Sequence, residues 1–159
     1  MRPKRLLFVC LGNICRSPLA EGIFLHLAEQ RGVAHQFEVD SAGAGSWHVG
    51  ERPDRRAAAV ARRHQVLLPS IGRQVDPGHD FDYFDLLLAM DTENLRELQR
   101  LGAPAGKLRL MRSFDPELAA APDIDRCVPD PYFGEGDGFD RVYEMLVRAC
   151  DGLLDELLG

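Results

Sequence analysis

The order of apolar patterns along the 159 residues predicts an α/β fold, a parallel sheet with helices on both faces. Three observations carry this expectation. Leu6-Leu7-Phe8-Val9-Cys10 is an unbroken apolar run of strand length, the pattern of a strand buried on both faces of a parallel sheet. Leu86-Leu87-Leu88-Ala89-Met90 repeats it deeper in the chain. Between and after these runs, strand-like and helix-like segments alternate as βα-βα-βα-β, then a loop and a last helix. Such alternation gives parallel strands joined by right-handed crossovers.

Each element has a local reason. Gly12 and Asn13 break the first strand. Ser17-Pro18 then reads as an N-cap followed by proline at the first helical position. Leu19, Ile23, Phe24 and Leu27 supply the apolar stripe of a helix that runs to about Gly32. Phe37-Glu38-Val39-Asp40 alternates as a second strand, and a loop containing Gly43, Gly45, Ser46 and Gly50 follows. Arg55 to His64 is Ala-rich and helical. The run at 86–90 is the third strand, and Thr92 to Leu101 a short helix with Thr92 as N-cap. Lys107 to Met111 is the fourth strand. Residues 113–138, rich in Pro, Asp and Gly, read as loop. From Phe139 through Val142, Tyr143, Leu146, Cys150 and Leu153 to Leu157 the spacing is helical to the end.

Composition bounds the function. Hydrophobic residues make up 45% and charged residues 28%, the balance of an ordinary globular protein, and the length suits one domain over residues 1–159. No apolar run approaches the ~18–20 residues of a membrane span. The apolar stretch behind the basic Met1-Arg2-Pro3-Lys4-Arg5 is too short for a signal peptide. The simplest expectation is an unprocessed cytoplasmic protein that needs neither membrane nor nucleic acid. A net charge of −6 argues against nucleic acid, because phosphate neutralisation needs clustered Lys and Arg. Cys10, Cys15, Cys127 and Cys150 are too sparse for a disulfide scaffold. They show no zinc spacing, and the five His are scattered, so neither a metal nor another cofactor is expected. Cys127 and Cys150 read as inert.

The informative segment is Cys10-Leu11-Gly12-Asn13-Ile14-Cys15-Arg16-Ser17-Pro18. It joins a strand to a helix at the sheet edge where α/β folds bind ligands. Gly12 and Asn13 tolerate left-handed backbone angles. The loop can therefore curl its N–H groups inward as an anion nest, and the helix N-terminus adds partial positive charge. Arg16 offers a planar fork for two oxygens of a tetrahedral oxyanion. The same field would favour negative charge on the Cys10 sulfur. A thiolate there can attack phosphorus and form a phosphocysteine, with Arg16 and the loop N–H groups stabilising the equatorial oxygens. The Ser17 hydroxyl can donate to the departing sulfur. A cysteine at a strand end is more often a small core residue; the Gly, Asn, Ser-Pro and helix around this one favour the catalytic reading.

Cys10 to Pro18 resembles the signature loop of the low-molecular-weight protein tyrosine phosphatases. The resemblance continues at Asp40-Ser41-Ala42-Gly43, Trp47-His48-Val49-Gly50, Arg73-Gln74, Met90-Asp91 with Asn94-Leu95, and Pro129-Asp130-Pro131-Tyr132-Phe133. It covers nearly the whole chain. It implies a three-layer flavodoxin-like fold with a central four-stranded parallel sheet, and metal-free hydrolysis of phosphotyrosine in proteins or peptides with inorganic phosphate as product. A monomer is the default expectation.

A general acid must protonate the leaving oxygen. Asp76, Asp115 and Asp130 all precede proline, and spacing does not choose among them. The resemblance assigns the role to Asp130. It also makes Trp47, Tyr132 and Phe133 walls of a pocket deep enough for phosphotyrosine but not phosphoserine, with Leu11 and Ile14 completing the lining. Taken alone, each aromatic would read as core or ordinary surface. In the family, Asn13 is held by a Ser, matched here by Ser41, and by a His, where this chain has Ser70. Cys15 in the family can form a disulfide with the nucleophile under oxidation; a loop-packing role is the alternative reading. Arg52, Arg55, Arg56, Arg62, Arg63 and Arg73 could draw acidic substrate segments, or simply form a solvated helix face.

Three other functions compete. Arsenate reduction on this fold needs two relay cysteines, and residues 75–100 contain none. Arginine phosphatases tend to carry Thr where this loop has Ile14. A non-catalytic phosphate-binding module would lack a nucleophile or acid, whereas Cys10, Arg16 and Asp130 are all present.

Overall fold

The computed structural model describes residues 2–134 and 136–159. Its elements are β1 (Lys4–Cys10), α1 (Arg16–Gln30), β2 (Phe37–Gly43), α2 (Arg55–Arg63), α3 (Asp80–Tyr83), β3 (Leu86–Ala89), α4 (Thr92–Arg100), β4 (Leu108–Leu110) and α5 (Gly138–Leu158). The four strands form one parallel sheet in the order β2-β1-β3-β4. The expected fold class is thus observed.

The unbroken apolar run of β1 has the predicted cause. Leu6, Phe8 and Cys10 face a core built with α1, α2 and α5. Leu7 and Val9 face the opposite core, with Phe81 of α3 and Leu98 of α4. Successive side chains alternate across a strand, so a strand between two helical layers must be apolar at every position. All five residues from Leu6 to Cys10 are essentially without solvent exposure.

Several boundaries differ from the sequence expectation. α1 begins at Arg16, with Cys15 rather than Ser17 at the N-cap, and Cys15 makes no side-chain cap bond. Leu19 N–H donates to the Cys15 carbonyl at 3.2 Å, closing the first turn. Pro18 still fits, since its missing N–H falls among the first-turn donors that a helix leaves unpaired. Ser17 is left free to turn its hydroxyl toward Cys10. The amphipathic stripe of α1 also gives way, because every residue from Arg16 to Phe24 is buried. Gly22 makes this possible, as a Cβ there would lie 2.5 Å from the Leu67 carbonyl oxygen. At α4, Asp91 rather than Thr92 is the cap, accepting from Asn94 N–H at 2.7 Å. β2 runs beyond Asp40 to Gly43. The short α3 was not expected, and the 113–138 loop contains the turns Pro116–Leu118 and Asp123–Arg126.

No helix among the described residues is long and apolar enough to cross a membrane. α5 closes one face of the sheet and depends on Gly152, where a Cβ would sit 1.9 Å from the Phe114 carbonyl oxygen. Alanine would favour the helix by about 1 kcal/mol. The clash involves backbone, which no rotamer change relieves, and overpacking of this kind costs up to about 3 kcal/mol. Gly152→Ala should therefore lower the urea unfolding free energy by about 2 kcal/mol; an unchanged midpoint and slope would refute that packing.

Candidate active site

The loop after β1 is shaped by where its carbonyl groups go. The Cys10 and Leu11 carbonyls accept from Ala44 and Gly45 N–H at 2.8 and 2.9 Å. The Ile14 carbonyl accepts from Asp54 N–H at 2.8 Å. With these carbonyls drawn outward to the turn after β2 and to the N-cap of α2, the loop can turn N–H groups inward, as an anion nest requires. Gly43 lets the end of β2 approach, since a Cβ there would be 2.9 Å from the Leu11 carbonyl oxygen.

Asn13 holds the loop at its tightest point, with φ of 59° in the left-handed region. Its N–H donates to Cys10 Sγ at 3.3 Å, and its Nδ2 donates to Ser17 Oγ at 2.8 Å. Its Oδ1 accepts from Arg73 N–H at 3.0 Å. Ser17 Oγ lies 3.0 Å from Cys10 Sγ. Because Ser17 accepts from Asn13, its own proton points at the sulfur. Two donors thus converge on Cys10, an arrangement that favours negative charge on the sulfur.

Arg16 is buried at the mouth of α1. Its Nη1 donates to Asp91 Oδ2 at 2.6 Å and to the Val128 carbonyl at 3.0 Å. Its Nη2 lies 3.7 Å from Asp130 Oδ2. Burial alone would lower its pKa, but the Cys10 charge and the bond to Asp91 outweigh that, and the net direction is upward. Asp130 reaches this place because Val128 N–H donates to the Met90 carbonyl at 2.7 Å, hooking the late loop to the end of β3. Asp130 Oδ1 accepts from Tyr132 N–H at 3.0 Å, a local turn that orients the carboxyl.

A cavity of about 370 Å³ connects these groups. Cys10, Arg16 and Asp130 meet there with Leu11, Gly12, Ile14 and Cys15 of the loop, and with Trp47, His48, Tyr132 and Phe133. The Trp47 ring folds over Gly45, where a Cβ would come within 1.9 Å of it. Burial, reinforced by Asp54, pushes the Cys15 thiol well above its ordinary value. No group of three or more His, Cys, Asp and Glu among the described residues is placed to hold a metal ion.

One expectation is corrected. Ser41 and Ser70 were expected against Asn13. Instead both donate to the buried Glu21, Ser41 Oγ to Oε1 and Ser70 Oγ to Oε2, each at 2.7 Å. The physical reason is that Glu21, on the fully buried part of α1, needs two donors more than Asn13 does. Support for Asn13 comes from the Arg73 backbone and Ser17.

The sequence assigned no role to Asp91, His48 or Glu21, and read Arg56 only as an attractor of acidic segments or part of a solvated face. Asp91 orients Arg16, and its signal was the capping pattern Asp91-x-x-Asn94. Arg56 pairs with Asp54 at 3.0 Å and donates to the Tyr132 carbonyl at 3.0 Å, so the start of α2 ties the Cys10 loop to the Asp130 loop. His48 accompanies Trp47 on the cavity wall. For Arg56 and Glu21 nothing in the local sequence marked the partner.

The model of the low molecular weight phosphotyrosine protein phosphatase family matches residues 5–158. The chain belongs to that family. It is 46% identical over 153 residues to a low molecular weight protein-tyrosine-phosphatase of Streptomyces coelicolor, covering 94% of this chain and 91% of the relative. The crystal structure of a protein tyrosine phosphatase from Entamoeba histolytica superposes with a TM-score of 0.87 at 37% identity, covering 97% of this chain and 96% of that one. A Drosophila arginine phosphatase is similar at a TM-score of 0.86 and 34% identity, covering 97% and 98%. Membership in this phosphatase family agrees with the resemblance seen in the sequence.

Glu21 offers a test of the corrected support network. Burial raises its pKa despite the two serine hydroxyls. A raised carboxyl pKa means the folded state holds the proton more tightly than the unfolded state. Its contribution to stability is therefore full at low pH and is lost as pH rises from about 4.3, the ordinary glutamate value, through the higher folded value. Glu21→Gln should remove this slope. Its unfolding free energy minus that of wild type should increase as pH rises through that window, and a pH-independent difference would refute the buried-carboxyl account.

Proposed function

We propose that the protein is a metal-independent phosphatase that hydrolyses phosphotyrosine in proteins or peptides through a phosphocysteine intermediate. The observation that carries this reading is the convergence of Cys10 and Arg16, from the loop after β1, and Asp130, from the late loop, on one cavity. Cys10 Sγ attacks phosphorus as the bond to the aryl oxygen breaks. Asp130 gives its proton to the leaving phenolate. Arg16 and the loop N–H groups stabilise the equatorial oxygens. Asp130, now a carboxylate, takes a proton from water, whose oxygen attacks phosphorus. The sulfur–phosphorus bond breaks, inorganic phosphate forms, and Ser17 donates to the departing thiolate.

The lining supports an aromatic substrate. Ile14, Leu11, Trp47, Tyr132 and Phe133 offer apolar surface to a phenyl ring. Phosphoarginine would bring guanidinium N–H groups, and Ile14 has no hydroxyl to accept them. That distinction matters because a Drosophila arginine phosphatase shares the fold closely. Cys15 lines the same cavity, so an oxidised Cys10 has a second sulfur nearby as redox partner. Its buried, protonated thiol makes a slow nucleophile for that step. The same reading takes residues 1–159 as one cytoplasmic, monomeric domain.

Turnover of para-nitrophenyl phosphate should persist in EDTA, because phosphate oxygens are met by N–H groups and Arg16. Cys10→Ser should abolish turnover while still binding phosphate. A metal requirement or an active Cys10→Ser protein would overturn the mechanism. Asp130→Ala should slow phenyl phosphate by about 10²–10⁴-fold and esters with better leaving groups by less; an equal loss on both would make Asp130 structural. In a phosphopeptide panel, phosphotyrosine should be hydrolysed far faster than phosphoserine or phosphoarginine.

A further inference from the structure

A second, larger depression adjoins the catalytic cavity. It is an open groove of about 1610 Å³ that shares Ile14, His48 and Tyr132 with that cavity. One wall is α2, where Arg55, Ala58, Ala59 and Arg62 follow the spacing of one helical face. The opposite face, Ala57, Val60 and Ala61, is buried in the core. The facing wall carries Val66, Leu67 and Leu68, and Leu67 is 85% exposed.

The arginines of this region divide into two sets. Arg56 is held by Asp54, Arg63 by Asp140, and Arg73 by Asp40 and Asp80. These cannot serve a ligand without breaking an existing pair. Arg52, Arg55 and Arg62 are exposed, line the groove, and have no carboxylate partner among the described residues. The two carboxylates in the groove are already engaged, Asp54 by Arg56 and Glu51 by His48 at 2.9 Å. A chain of net charge −6 thus carries a local basic channel leading into its catalytic cavity.

We propose that this groove binds the segment flanking the phosphotyrosine, and that it selects peptides bearing Asp or Glu on the side that lies along α2. The proposal rests on the phosphotyrosine reading above. Charge complementarity names the occupant: three unpaired guanidinium groups meet carboxylates, and the apolar floor between them accepts the peptide's methylenes. A concave channel that adjoins the catalytic cavity at Ile14, His48 and Tyr132 suits an extended peptide better than a flat lipid surface.

The test compares phosphotyrosine peptides with acidic, neutral or lysine-bearing flanks on either side. The readout is the ratio of kcat/KM between acidic and neutral peptides within each protein, so any general loss of activity cancels. Wild type should favour acidic flanks by roughly five- to tenfold at low salt, the size expected of a few rim charges, and the preference should shrink at high ionic strength. Arg55→Gln with Arg62→Gln should bring the ratio near one while para-nitrophenyl phosphate turnover stays intact. Arg55→Glu with Arg62→Glu should turn the preference toward lysine-bearing flanks. Equal turnover of acidic and neutral peptides by wild type, or a preference unchanged in the variants, would overturn the proposal. So would peptide turnover indifferent to flanking charge together with arginine-dependent sedimentation on phosphatidylserine vesicles. If para-nitrophenyl phosphate is hydrolysed but no phosphotyrosine peptide is, the substrate reading fails first, and the failure is distinct.

Discussion

The loop between Cys10 and Arg16 closes around a single sulfur atom, and that closure depends on Asn13 adopting a left-handed backbone angle. Such an angle costs a residue with a side chain about 1–2 kcal/mol. Asn13 offsets the cost through its bonds to Cys10 Sγ, Ser17 Oγ and the Arg73 backbone, each worth about 1 kcal/mol net. The strain is thus held by both ends of the loop itself and by the distant Arg73 backbone. Without it, the Asn13 N–H would not reach the sulfur, and the loop would be a strand–helix turn with a buried cysteine.

The surrounding structure supplies what seven residues cannot. The turn after β2 and the N-cap of α2 draw the loop carbonyls outward. Asp91, fixed as a helix cap, aligns Arg16 from behind. Val128, hooked to Met90, holds Asp130 at the same C-terminal end of the parallel sheet as Cys10. Arg56 joins the two loops through Asp54 and the Tyr132 carbonyl. A buried guanidinium costs much unless it is paired and hydrogen-bonded. Arg16 meets that condition with Asp91 and Val128 while remaining directed at the cavity. Cys10, Arg16 and Asp130 are therefore positioned by rigid elements rather than by the loop alone.

Much of this was legible in the sequence because it is local. Unbroken apolar runs identified β1 and β3, since only a strand covered on both faces needs them. Gly12, Asn13 and Ser17-Pro18 marked a loop leading into a helix, and Cys10 with Arg16 gave that loop its chemistry. The helix starts were displaced, at Ser17 and at Thr92, because capping is decided by which side chain can reach the free N–H groups. At Ser17 the hydroxyl was drawn to the sulfur, and at Thr92 the neighbouring Asp91 offered a stronger acceptor.

The chain by itself determined the α/β class and singled out Cys10 and Arg16 as the proposed nucleophile and cation, since strand periodicity and a seven-residue loop are properties of adjacent residues. Which of three Asp-Pro pairs to propose as the acid lay beyond spacing and came only with the family resemblance. Where that carboxyl sits was decided by tertiary structure, through the hydrogen bond between Val128 and Met90. The same holds for Ser41 and Ser70, drawn to Glu21 rather than Asn13, and for the division of the arginines into paired and unpaired. Those outcomes depend on which groups meet after burial, when a charged or polar atom must find a partner or lose several kcal/mol, and no local pattern records who that partner is.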